Sequence, residues 1–279
     1  MVRKNIRLVV SDMDGTLLGP DKRVSAVTRE AIKRAERAGI RFSICTGRIQ
    51  TMTEYYLGDL QLTTPVITAN GALIWDPAGQ KALWDQPMDE EELLSLLLFC
   101  REHQLDYCAL TMGTSYFAAG SVRRKRFEQY NEIARSGGFA PMSLALFDDA
   151  FACIRGQKVY KVLINEVVPG QFAAAAAFID TLKTIGYTSS EDRLLDVADR
   201  NISKGEGLKH LAQLLDIPTA DVCAVGDYDN DIPMLRASGF PVAMANGCEA
   251  IRNAAEFVTK ANTEDGVAYL LDQLLLEDR

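Results

Sequence analysis

The chain has 279 residues, among them 38 Asp and Glu, 30 Lys and Arg and only 2 His, for a formal charge of −8. That balance argues against a bulk electrostatic grip on nucleic acid or anionic lipid, and two histidines exclude a zinc site built on several imidazoles. With 48% hydrophobic and 24% charged residues the composition is that of an ordinary globular protein of one large domain or two, whose chemistry must run mostly on carboxylates.

The basic amino-terminal segment, residues 1–10, reaches Asp12 after three consecutive apolar residues, too few for a signal-peptide core. No stretch approaches the roughly 18 apolar residues of a membrane helix. Six cysteines without a C-x-x-C pair, several inside apolar runs, are expected to be reduced core residues of a cytoplasmic protein.

Residues 6–10 predict a short buried strand ending in Ser11-Asp12-Met13-Asp14-Gly15-Thr16. Ser25 is the expected N-cap of a helix with Val27, Ala31, Ala35 and Ala38 at helical spacing and Gly39 at C′. A second strand at 40–45 runs into Thr46-Gly47-Arg48, and a third at 65–68 precedes Asn70-Gly71. This β-α-β rhythm favours a parallel sheet with helices on its faces. The middle differs. Asp89 and Glu92 read as a helix-start capping pair before the stripe Leu93, Leu96, Leu97 and Cys100. Strands follow at 107–112, 114–117 and 158–164, with a long helix at 169–185, so an α+β unit is expected inside the first domain. From Ser203 the α/β rhythm returns. Leu208, Leu211, Ala212 and Leu215 mark a helix whose first turn holds Lys204, and a buried strand at 222–225 delivers Gly226-Asp227-Tyr228-Asp229-Asn230-Asp231. Pro233 suits a first helical turn, and short strands are expected at 241–244 and 257–259.

Four polar clusters, Asp12/Asp14, Thr46, Lys204 and Asp227/Asn230/Asp231, sit at strand ends or a helix start. In an open parallel sheet the carboxyl ends of the strands form the ligand crevice, so the clusters are expected to converge. Singly, each has a plain structural role: turn or cap for Asp12, Asp14, Thr46 and Asp231, an ion-pair partner for Arg48, a solvated lysine for Lys204. Gly15-Thr16 tips the first cluster toward function, because such a turn brings backbone N–H groups close to a phosphate.

Together the motifs Asp12-Met13-Asp14-Gly15-Thr16-Leu17, Thr46-Gly47-Arg48, Ser203-Lys204-Gly205 and Gly226-Asp227-Tyr228-Asp229-Asn230-Asp231 resemble the haloacid dehalogenase superfamily, within it the Cof-like, type IIB sugar phosphatases. Asn70-Gly71-Ala72 and Ala245-Asn246-Gly247 are similar to that group too. The resemblance implies a Rossmann-like core with an inserted α+β cap of type C2B. Only ten residues separate Asp14 from Ser25, so the cap is expected between the second and third motifs, giving a core at 1–85 and 196–279 and a cap at 86–195.

For the chemistry, the resemblance implies a phosphatase with Asp12 as nucleophile, forming an aspartyl-phosphate, and Asp14 as proton donor and acceptor. Mg²⁺ would be held by Asp12, the Asp14 carbonyl, Asp227 and Asp231, the last directly or through water. Thr46, Gly47, Lys204 and Asn230 would hold the phosphoryl oxygens. An ionised carboxylate needs no base to attack phosphorus, and Mg²⁺ suits hard oxygen ligands. The implied partner is a small phosphorylated metabolite such as a sugar phosphate or phosphorylated cofactor, with no role for nucleic acid or membrane; neither the substrate nor the oligomeric state is specified. Cap residues would choose it. The Arg123-Arg124-Lys125-Arg126 run, Lys158, Lys161 and Tyr116 are candidates, although the run reads better as a solvated helix face, and Trp75 and Trp84 as core. A sugar phosphomutase and a non-catalytic phosphometabolite sensor are the alternatives.

Overall fold

A computed structural model describes residues 5–191 and 193–276; the first four residues of the basic amino-terminal segment lie outside them. The chain divides into two compact units, one comprising Met1–Gly47, Tyr56–Trp84 and Ser203–Arg279, the other Arg48–Tyr55 and Asp85–Ile202. In chain order the elements are β1 (Leu8–Ser11), α1 (Ala26–Arg37), β2 (Arg41–Ile44), α2 (Glu54–Leu60), β3 (Val66–Thr68), β4 (Leu73–Asp76) and β5 (Lys81–Asp85). Then come α3 (Glu90–Glu102), β6 (Asp106–Thr111), β7 (Thr114–Phe117), α4 (Arg123–Ser136), β8 (Ser143–Leu146), β9 (Val159–Asn165), α5 (Gln171–Ile179), β10 (Ile185–Glu191) and β11 (Leu194–Asp199). The chain ends with α6 (Lys204–Leu214), β12 (Val222–Gly226), α7 (Ile232–Ala237), β13 (Phe240–Ala243), α8 (Glu249–Ala254), β14 (Phe257–Val258) and α9 (Gly266–Leu276).

The first unit holds a parallel sheet ordered β14-β13-β12-β1-β2. Every residue of β1 and β12 is buried, as expected of central strands covered on both faces. From β1 the chain proceeds to β2 on one flank, and from β12 to β13 on the other. This reversal lies between β1 and β12, whose carboxyl ends therefore open the crevice where an α/β sheet takes its ligand. Ser25 caps α1, its Oγ accepting from the Thr28 N–H at 3.0 Å, and Gly39 has φ +91° at C′. The buried face of α1 is Thr28, Ala31, Ile32 and Ala35, not the expected Val27-Ala31-Ala35-Ala38 stripe. Turning Ile32 inward, where α1 packs on β2 and α9, leaves Val27 on the outer surface at 55% exposure.

The second unit is an α+β layer. Its sheet runs β10-β11-β9-β6-β7-β8, antiparallel except for the β7–β8 pair. Leu93, Leu96, Leu97 and Cys100 of α3, with Ala175 and Ile179 of α5, cluster with Tyr107, Ala109, Val162, Ile164, Leu195 and Val197 of the strands. Asp89 caps α3, receiving the Glu92 N–H at 3.0 Å. The Glu92 carboxylate does not complete the expected box. Instead it accepts from the N–H groups of Lys183, Thr184 and Ile185 at 2.7, 2.9 and 3.2 Å, and from the Thr184 hydroxyl at 2.6 Å.

Two further expectations are corrected. The helix anticipated at 169–185 stops at Ile179, and Ile185 opens β10, because the turn at 183–185 gives its N–H groups to Glu92. The expected return to the core at 196 falls inside β11, which pairs with β9 and β10, so the first unit resumes at Ser203; segment Arg48–Tyr55 likewise groups with the second unit. All six cysteines are free, Cys153 and Cys248 only half-buried rather than core. No described helix is long and apolar enough to cross a membrane.

Candidate functional site

At the reversal, Asp12 follows the last residue of β1 and remains tied to β12, its N–H donating to the Val225 carbonyl at 2.9 Å. Asp227 follows Gly226 at the end of β12. A Cβ on Gly226 would come within 2.5 Å of the Asp231 side chain, so the glycine lets the loop fold back on itself. Asp231 Oδ2 then accepts the N–H groups of Asp227 and Tyr228 at 3.0 and 3.1 Å. Lys204 is the first residue of α6, behind the N-cap Ser203, whose Oγ accepts the Glu206 N–H at 3.1 Å. Its Nζ donates to Asp12 Oδ1 at 2.6 Å and to Asp231 Oδ1 at 2.5 Å. Gly15, at φ +88°, completes the approach. A Cβ there would lie 2.3 Å from Asp227 Oδ2, and the neighbouring Thr16 hydroxyl donates to Asp227 Oδ1 at 2.7 Å.

Asp12, Lys204 and Asp231 are 6%, 2% and 1% exposed. Burial pushes the Asp12 carboxyl well above the usual carboxylate range; the Lys204 ammonium opposes this, while the Asp231 and Asp227 charges add to it. Asp227 is pushed up to about 6, chiefly by burial and then by Asp231, against the Thr16 hydrogen bond. Burial alone would lower Lys204, but the charges of Asp12 and Asp231 outweigh it and hold the ammonium firmly protonated.

One ammonium therefore faces three carboxylates. Asp12, Asp227 and Asp231 each offer an oxygen within 4.8 Å of the others, an all-oxygen donor set with surplus negative charge. Such a set fits a hard divalent cation, which would cancel the imbalance. With a cation offsetting the burial, the group can present an ionised carboxylate at the crevice, with a further carboxyl, Asp14, two residues on.

The other expected residues have contacts of their own. Asp14 is half-buried and its Oδ1 accepts from Lys22 Nζ at 3.0 Å. Thr46 is buried after β2; its N–H donates to the Ile67 carbonyl and its own carbonyl accepts the Asn70 N–H, both at 2.9 Å. Half-buried Gly47 follows it. Asn230 Nδ2 donates to Asn70 Oδ1 at 3.4 Å, so Asn70, in left-handed backbone at φ +58°, bonds to both Thr46 and Asn230. Among the cap candidates, Arg124 pairs with Glu128 at 3.3 Å, Arg126 Nε donates to the Tyr130 hydroxyl at 3.1 Å, Lys158 pairs with Asp85 at 2.8 Å, and Lys161 pairs with Asp196 at 2.8 Å. Arg48 stacks over the Tyr130 ring at 4.6 Å. Trp75 and Trp84 are only partly buried, the latter 4.2 Å from the His210 ring.

Several residues were given no role by the sequence. Asn246 Nδ2 donates to the Gly15 carbonyl at 2.8 Å while its Oδ1 accepts the Asn262 N–H at 2.9 Å. Asn262 Nδ2 in turn donates to the Leu18 carbonyl at 2.9 Å, so the two asparagines brace the loop after Asp14. The patterns around Asn70 and Asn246 were visible as motifs; Lys22 and Asn262 carried no sequence signal.

The model of the haloacid dehalogenase-like hydrolases matches residues 9–271. The 5-amino-6-(5-phospho-D-ribitylamino)uracil phosphatase YwtE of Bacillus subtilis is 30% identical, covering 97% of this chain and 98% of that protein. A solved haloacid dehalogenase-like hydrolase from B. subtilis superposes with a TM-score of 0.83 at 28% identity, covering 96% and 99% of the two chains. A subclass IIB sugar phosphatase of the same superfamily, 21% identical, shares the fold over 97% of this chain and 99% of its own, with a TM-score of 0.78. With Asp12, Lys204, Asp227 and Asp231 gathered at the β1/β12 reversal and the match spanning both units, the chain belongs to the haloacid dehalogenase-like hydrolase family.

Proposed function

We propose that this hydrolase is an Mg²⁺-dependent phosphatase of small phosphate monoesters, sugar phosphates or phosphorylated cofactors, acting through an aspartyl-phosphate on Asp12. The observation that carries the reading is the buried Asp12 carboxylate at the end of β1, held by Lys204 at 2.6 Å within a cluster short of positive charge. When bound by Asp12, the Asp14 carbonyl, Asp227 and Asp231, Mg²⁺ supplies positive charge for the incoming phosphate. Asp231 spends both oxygens on Lys204 and two backbone N–H groups, which favours its orienting the loop and reaching the ion through water.

Asp12 attacks phosphorus, the bond from phosphorus to the leaving oxygen breaks, and Asp14 gives that oxygen a proton. Water then attacks the aspartyl-phosphate, its proton passes to Asp14, and phosphate leaves with Asp12 restored. Proton transfer of this kind is worth about 10²–10⁴ in rate. Lys204, Thr46, the Gly47 N–H and Asn230 hold the phosphoryl oxygens, where charge builds in the transition state. The inserted α+β unit, expected at 86–195 and grouped in the structure as Asp85–Ile202 with Arg48–Tyr55, sets which monoester is accepted. The relative named for a phosphoribitylamino-uracil makes that compound a natural member of the first substrate panel.

The test is free-phosphate release from a panel of phosphorylated metabolites and a generic aryl phosphate. Release by the wild type that is lost in Asp12→Asn and in excess chelator is expected. Undiminished turnover in either, or a positional isomer in place of phosphate, contradicts the proposal.

A further inference from the structure

The loop that follows the first motif carries a device that no motif announces. Lys22 has left-handed backbone, φ +59°, which a non-glycine residue adopts at an energetic cost. Three contacts hold it there. Its N–H donates to the Gly19 carbonyl at 3.0 Å, within a turn closed by the Gly19 N–H to the Arg23 carbonyl at 2.9 Å. Its carbonyl accepts the hydroxyl of the buried Tyr56 at 3.0 Å. Its Nζ donates to Asp14 Oδ1 at 3.0 Å.

The ion pair does not by itself account for this arrangement. The Lys22 and Asp14 side chains are 40% and 35% exposed, and ion pairs at that exposure contribute little to folding, less than a left-handed lysine costs. Strain maintained by several surrounding contacts is characteristic of residues that prearrange a site. The contact singled out is also informative, since Asp14 is the carboxyl assigned the proton transfers. A turn that fixes the ammonium fixes in turn where that carboxyl group points, and proton transfer requires the group, protonated, within hydrogen-bond reach of the leaving oxygen.

We propose that Lys22 is a positioning residue for Asp14, an inference that rests on the phosphatase reading of this site. Lys22 makes and breaks no bond. The proton moves between Asp14 and the leaving oxygen as the bond to phosphorus breaks with its electron pair on oxygen, and later between the attacking water and Asp14.

The experiment is a double-mutant cycle on a generic aryl phosphate with Mg²⁺ present, comparing Lys22→Met, Lys22→Arg, Asp14→Asn and the Lys22→Met/Asp14→Asn double variant. Lys22→Met is expected to lower kcat about tenfold with KM shifted less than about twofold. Lys22→Arg recovers most of the loss, and Lys22→Met adds nothing further on top of Asp14→Asn, because its effect runs through that carboxylate. Lys22→Gln replaces Lys22→Met should the latter not fold, with unfolding curves checking the series. The proposal is overturned by unchanged kcat, by a loss that multiplies on top of Asp14→Asn, or by a change in KM alone, which would put Lys22 on the substrate. A wild type inactive on every monoester would instead overturn the phosphatase reading itself, and this inference with it.

Discussion

In the inserted unit Lys161 pairs with Asp196 at 2.8 Å, their side chains 5% and 2% exposed, whereas in the parallel-sheet unit one buried ammonium, Lys204, faces three carboxyl groups. Both arrangements desolvate charge, yet only the first balances it. A balanced buried pair compensates its own desolvation and can serve as an element of the fold. An unbalanced cluster either takes up protons or receives a compensating charge. Set side by side, the two contacts distinguish a structural ion pair from a cluster placed to receive charge.

The largest test of that contrast is Asp12→Asn. It removes a surplus negative charge along with the nucleophile, so kcat on an aryl phosphate should fall by about 10⁴-fold or more while the melting temperature in chelator does not fall. Asp196→Asn should do the reverse. It strips Lys161 of its carboxylate, costing about 3 kcal/mol by denaturant unfolding, with turnover of the aryl phosphate little changed.

A third test uses pH. Asp227 has its folded-state pKa raised from 3.8 to about 6, so the carboxyl contributes fully to stability below about pH 4 and that contribution is lost as pH rises through about 6. In excess chelator, wild-type stability should drop by about 2 kcal/mol across that window, a figure already discounted for partial exposure, and Asp227→Asn should flatten the drop. Smallest is Glu92→Gln in the inserted unit. Its hydrogen bonds from Thr184 and the 183–185 backbone hold Glu92 down to about 2, so its contribution is present above about pH 4.5 and lost as pH falls toward 2. The variant should melt earlier at pH 7, with the gap to wild type closing in acid.

The loops of the candidate site were legible because each begins where an apolar run ends, Val10 before Ser11-Asp12 and Val225 before Gly226-Asp227, and the doubly wound sheet brings such ends together. Elsewhere the signals were local and the outcome was not. Asp89 and Glu92 have capping spacing, but the Glu92 carboxylate found stronger tertiary donors some ninety residues away. The alanine run of α5 offers helix propensity without a stop signal, so its end at Ile179 could not be read. β10, an edge strand through Gly186-Tyr187-Thr188-Ser189-Ser190, lacks the apolar alternation that would announce it. Lys22 was invisible because its link to Asp14 depends on left-handed backbone and on Tyr56, neither of which a pattern encodes.

The central claim is that the unbalanced cluster exists to let Asp12 take up a phosphoryl group. Acid-quenching the enzyme during turnover and analysing its peptides by mass should reveal one added phosphoryl group on the peptide carrying Asp12, absent from Asp12→Asn. Steady turnover with no adduct under conditions where the second step is slowed, or an adduct on another residue, would contradict the account.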